Sequence, residues 1–451
     1  MNYHKLFLIV TSIVLFTSIT GCKKYLDYKP DKRLATPQTG KDLQALLDND
    51  NIMNNYSSGV GEASADDYFL LPADWKSLGT EGERNSYIWG DELFYNNASN
   101  QWSSIYQGVY TANVVLENVP SVAVLNETER NAIMASALFY RGNAFFKVAA
   151  AWAPAYDAAT ANRDMGIPLR LNADFNQPSV RSTVEETYQQ ITGDLKKAVP
   201  GLPGNALHPM RPSKAAAYGL LARVYLAMRN YEAAGRYADS CLQLNSRLMD
   251  FNKLNAAIPY PISMFNEETI FYMGNGYLPV ANFIAKIDST LYNSYELNDL
   301  RKTIYYKMNK DGSHGFYGTY TSSVQLFTGI ATDEQYLIKA ECLVRGGKIP
   351  EGLAVLNDLL KTRYQTGSFM LYTNMNGPAA LQLILKERRK ELVMRDLRWQ
   401  DIKRLNKEGA SISIKRVLDD ATYFLEANSP RFALPLPAYV IKMTGMQQNP
   451  R

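Results

Sequence analysis

Cysteine, histidine and tryptophan are all scarce in this chain of 451 residues, at three, three and five. Three Cys cannot build a disulfide framework or a structural zinc site, and three His argue against His-based metal chemistry. Neither sign of charge prevails. Lys and Arg number 48 against 44 Asp and Glu, a surplus of +4 with no basic run to concentrate it, so nucleic acid is not an expected partner. Only one long apolar run exists, residues 6–16, and eleven residues are too few to span a bilayer. HExxH, GxSxG, CxxC and GxxxxGK[ST] are all absent. Zinc proteases, serine esterases of that type, dithiol redox proteins and P-loop nucleotidases are thereby excluded. A carboxylate pair for glycosidic cleavage is not, because any two distant acids among the 44 can meet.

What remains is globular, with 46% hydrophobic, 20% charged and 12% aromatic residues, most of the aromatics being Tyr (30). The N-terminus reads as an export signal: Lys5, the apolar run 6–16, then small residues ending in Ile19-Thr20-Gly21-Cys22. A branched residue and two small ones before a Cys form a bacterial lipobox. Cys22 is therefore the expected lipidation site and residues 1–21 the cleaved leader, leaving a 430-residue chain anchored by acyl chains. Cys241 and Cys342 lie in helical patterns and read as small buried hydrophobes; whether they pair stays open. His208 and His314 read as loop residues.

The body reads as mainly α-helical. Apolar residues recur at i, i+3, i+4 and i+7 over 102–118, and Pro120 ends that helix. An Ala-rich apolar helix fills 127–152. Thr183 with Glu186 makes a capping box for a helix that Pro200 ends. Residues 213–245 read as an antiparallel helix pair, and a similar pair recurs at 333–363, 117 residues later. That spacing suggests tetratricopeptide-like pairs separated by insertions rather than an unbroken array. The insertions, 23–100 and 246–331, are rich in turn residues and short alternating runs such as Thr269–Tyr277, and predict loops with small strands. Residues 387–404 carry eleven charges of both signs with an apolar side, a pattern suited to a salt-bridged helix.

Several of these segments, taken in order, resemble the SusD/RagB family of nutrient-binding outer-membrane lipoproteins of Bacteroidetes. They are Cys22 with Tyr25-Leu26-Asp27, the Trp102–Tyr106–Asn113 helix, residues 137–146 followed by Gly166-Ile167-Pro168-Leu169, and Arg181 to Ala198. The run from Glu387 to Arg404 is the most specific, and Leu434–Pro437 with Gln448-Asn449-Pro450 fits the close, although Arg451 stands where a Gly is usual. The resemblance implies a SusD-like helical fold with a loop-rich ligand face. It divides the chain after the leader into an N-terminal region, 22–245, and a C-terminal region, 246–451, in one compact unit.

The implied function is a surface receptor on the extracellular side of the outer membrane. It would bind oligosaccharides or peptides and serve as the lid of a SusC-like TonB-dependent transporter, without bond chemistry, cofactor or metal. A helix-repeat scaffold for proteins and a surface glycan hydrolase are the alternatives. Sugar rings pack C–H faces on flat aromatics, and their hydroxyls seek polar side chains. Segment 66–95 offers both kinds, so Trp89 is the expected stacking platform, with Trp75, Tyr95, Asp67, Tyr68 and Arg84 beside it. Loops in the middle of the chain add Tyr277, near Asn282 and Phe283. Trp102 and Trp399 read as structural.

Overall fold

A computed structural model describes residues 37–55, 59–94 and 100–451. The leader, Cys22 and Tyr95 lie outside the described residues. The fold is mainly α. Twelve helices of seven residues or more are α1 (Gly40–Leu47), α2 (Glu81–Ile88), α3 (Gln101–Asn118), α4 (Glu127–Trp152), α5 (Val184–Ala198), α6 (Lys214–Ala227), α7 (Tyr231–Leu244), α8 (Thr332–Arg345), α9 (Ile349–Leu360), α10 (Gly377–Glu391), α11 (Arg398–Asn406) and α12 (Ala438–Thr444).

Local chemistry sets the boundaries. Thr39, Thr80, Asn100 and Thr183 each cap a helix through a reciprocal bond with the third helical residue, worth about 1 kcal/mol apiece. Helices α3 to α9 pack in sequence, each against the next. The decisive contact is α7 against α8: the two helix pairs adjoin although an insertion of almost ninety residues separates them in the chain. Close approach there depends on Gly235, where a Cβ would lie 2.9 Å from that of Cys342. Cys241 and Cys342 are free, buried thiols. The apolar core runs through both halves, joining Leu43, Phe139 and Leu220 to Phe271, Trp399 and Leu436.

Strands are short and occur as six antiparallel pairs among the described residues. Three of them carry the insertion 246–331 back onto the scaffold. Ile330–Ala331 pairs with Thr269–Phe271, Leu326–Phe327 with Gly274–Asn275, and Lys286–Ile287 with Tyr68–Phe69. The third pair joins the two irregular regions. A hairpin, Ile414–Leu418 with Ala421–Leu425, follows α11.

The charged run 387–404 is two helices rather than one. Between α10 and α11 the chain turns through Met394 and Asp396, both at positive φ. Its charges are mostly buried and paired. Arg301 meets Asp299, Glu387 and Glu391; Arg363 meets Glu268 and Glu391; Arg404 binds Glu341 and Asp401. Removing one partner from such a buried set costs about 3–5 kcal/mol, because the other charge is left unpaired in low dielectric.

Candidate functional site

Most of the residues expected to bind ligand from segment 66–89 instead fasten that segment to the C-terminal region. Trp89 ends α2 in the left-handed conformation, φ +56°, and its side chain is buried, the residue being 1% exposed. Its Nε1 donates to the Ser64 carbonyl at 3.0 Å. Trp89, Tyr68 and Tyr87 surround the Arg416 guanidinium, whose carbon lies 5.8, 5.1 and 4.2 Å from the three ring centroids. Arg416 also donates to the carbonyls of Tyr68 and Ala65. The aromatic cluster is thus a cage for an internal cation, and neither Trp89 nor Tyr68 presents a face to solvent. The expectation of a Trp89 platform is corrected accordingly.

Asp66 and Asp67 are occupied as well. Arg398 grips Asp66 through two bonds of 2.6 and 2.8 Å, and Arg389 donates to Asp67 at 3.0 Å. Burial raises both carboxyls. At Asp66 the Arg398 guanidinium outweighs it and holds the group well below the usual carboxylate range, while at Asp67 burial prevails and the group is raised. Asp67 is therefore an anchor and not an exposed hydrogen-bonding group. Trp75 is half-buried, with Nε1 bonded to the Arg84 carbonyl, and Arg84 donates to the Leu78 carbonyl. Those two brace the turn between them.

Tyr277 is placed differently. It flanks an open cleft of about 210 Å3 formed by Asn275, Val280, Ala281, Phe283, Val324 and Leu326. The ring of Phe283 is 62% exposed there, whereas most large apolar side chains of the segment are buried. Tyr277 reaches down to α2, its hydroxyl donating to Ser86 Oγ at 3.2 Å, and Ser86 in turn donates to the Glu83 carbonyl. The strand pairing Asn275–Leu326 fixes one wall. Gly59, φ +49°, closes against it: a Cβ there would lie 2.6 Å from Asn275 Nδ2 and 2.8 Å from Tyr277 Cβ, so only glycine fits.

Asn275 Nδ2 is buried and has no hydrogen-bond partner among the described residues. A buried amide donor left unpaired costs about 1–3 kcal/mol, and this one lies within the wall, against Gly59. The cleft therefore combines a flat exposed ring, the half-buried Tyr277 and no Asp, Glu or His among its described lining residues. That combination can hold a polyhydroxylated ring; it lacks the paired carboxylates of glycosidic hydrolysis. Phe283 carries the site. Phe283 stood out in the sequence as an aromatic in a loop, but nothing local marked Asn275 as unpaired.

A cluster with metal-ligand spacing, Glu268, Asp333 and Glu391, lies elsewhere in the core. Arg363 bonds Glu268 and Glu391 and Arg395 bonds Asp333, so its charge is already balanced by protein cations.

Comparison with known proteins accounts for this arrangement. Residues 24–226 match a family described as starch-binding and associating with the outer membrane, and residues 267–450 match the SusD family. The chain belongs to the SusD family. A SusD-like protein, P2, of Formosa agariphila is 25% identical over 98% of this chain and 99% of its own length. The fold is shared with a SusD superfamily protein of Bacteroides thetaiotaomicron, at TM-score 0.74 and 22% identity over 92% of this chain and all of that one. A laminarin-binding SusD-like protein aligns at TM-score 0.67 and 18% identity, over 92% and 100% of the two chains. Proteins of the SusD family associate with the outer membrane, and no described helix of this SusD-family chain is long and apolar enough to cross one.

Proposed function

We propose that this SusD-family chain is a lipid-anchored receptor that captures oligosaccharides on the outer face of the outer membrane. It would deliver them to a TonB-dependent transporter for which it serves as the lid. The observation that carries the reading is the cleft itself: an exposed Phe283 ring on loops braced by a rigid helical scaffold. Stacking on that ring supplies contact area. The laminarin-binding neighbour and the starch-binding family description support a saccharide over a peptide. Anchoring through Cys22 follows from the lipobox.

Calorimetric titration against laminari-, malto- and xylo-oligosaccharides and a set of peptides tests this. Saturable binding of one glycan class, weakened about tenfold or more by Phe283→Ser, is expected. Binding of peptides alone would replace the saccharide reading. Copurification of a β-barrel transporter from the native membrane tests the lid, and its absence would remove that part.

A further inference from the structure

A second cleft, of about 310 Å3, opens between α3, the loop 168–180 and α12. Helix α3 presents Tyr106, Tyr110 and Asn113 along one side, at the spacing of successive turns. Asn113 Nδ2 donates to the carbonyls of Arg170 and Asn172, and Glu117 accepts from Ala173 N at 2.8 Å, so the loop is tied to the helix. Arg170 braces the loop from within, donating to the Gln177 and Asp174 carbonyls and to Ser179 Oγ. On this fixed loop the Phe175 ring stacks against Tyr110, centroids 4.8 Å apart, yet remains 77% exposed. The facing wall is α12, which buries none of its residues; Met443 is 81% exposed and Tyr439 lies beside it.

A rigid, pre-formed exposure of aromatic and thioether surface opposes the hydrophobic effect, and such patches mark contact sites. The hydroxyls of Tyr110 and Tyr439 have no hydrogen-bond partner among the described residues, while the Arg170 guanidinium is engaged within its own loop. The wall thus offers flat faces and neutral phenol groups. We propose that this cleft is a second saccharide subsite that holds a ring on the Tyr110–Phe175 pair. It is separate from the Phe283 cleft, built from different elements.

The test is calorimetry on the full chain purified in detergent, with laminaritriose and maltotriose as probes. The variants are Phe175→Ser, Phe283→Ser and the double. Both rings are exposed, so each variant should keep its denaturation midpoint. Two trisaccharides per chain in the wild type, one in each single variant and none in the double is the expected pattern. Full wild-type uptake in Phe175→Ser overturns the proposal, as does a wild type that binds none of the neutral probes. If Phe175→Ser loses a saccharide while Phe283→Ser loses nothing, this subsite stands and the Phe283 reading fails. Should Phe175→Ser keep every saccharide but lose a copurifying protein, the cleft is a protein contact and the proposal falls.

Discussion

Replacing Trp89 distinguishes an internal cage from a ligand platform. The side chain is buried, its Nε1 satisfies the Ser64 carbonyl, and its ring borders the Arg416 guanidinium. Truncation to Ala removes an aromatic from a packed core, about 3–5 kcal/mol, and strips the Ser64 carbonyl of its donor, about 1–3 kcal/mol more. Against a total stability of about 5–15 kcal/mol, Trp89→Ala should fold poorly. Trp89→Phe keeps a ring beside Arg416 but loses the hydrogen bond, so a loss of about 1–3 kcal/mol is expected. Urea denaturation followed by circular dichroism measures it. Saccharide affinity of the folded Phe variant should stay near the wild-type value, because the ring never reaches solvent. A Trp89→Phe variant with an unchanged midpoint and abolished binding would refute the reasoning.

Other substitutions probe neighbouring parts. Gly59→Ala places a Cβ against Asn275 and Tyr277 at a positive φ, so it should weaken saccharide binding and cost roughly 1 kcal/mol of stability; unchanged affinity would contradict the wall it forms. Arg416→Lys cannot span the Tyr68 and Ala65 carbonyls with one ammonium, and should lower the urea midpoint by an amount equivalent to about 1–3 kcal/mol. Burial raises the Asp401 carboxyl, but Arg388 and Arg404 together pull it down to about 2, below its unfolded value of 3.8. Its contribution is therefore present above pH 3.8 and lost as pH falls through 2; Asp401→Asn should flatten that acid limb in a stability-versus-pH series. Burial lowers Lys403 to about 7 from 10.5, so the unfolded chain binds the extra proton between those values and stability should rise with pH there. Lys403→Met should lack that rise.

The helical scaffold was legible because its signals are local. The apolar period of 102–118 and the Thr183–Glu186 capping box matched α3 and α5 within a residue or two. The repeat of a helix pair at 213–245 and 333–363 was also visible, but not that α7 and α8 would lie side by side, since that contact depends on Gly235 meeting Cys342 across an insertion. The charge run 387–404 gave composition without geometry: its positive-φ turn at Met394–Asp396 carries neither Gly nor Pro. Trp89 was misplaced for a physical reason. An aromatic in an Asn- and Asp-rich segment looks exposed until the cation that it encloses is known, and Arg416 lies more than 300 residues away. Asp66 and Asp67 were open to the same error, because their partners sit on α10 and α11. Tyr277 and Phe283 were visible as aromatics in a loop; the unpaired Asn275 amide is a property of the folded surroundings alone.

The most direct measurement is a crystal structure of the chain with the best-binding oligosaccharide at saturation. The account predicts a sugar ring seated on the Phe283 face. A saccharide bound only at the helix surfaces, with the Phe283 cleft empty at saturation, would contradict it.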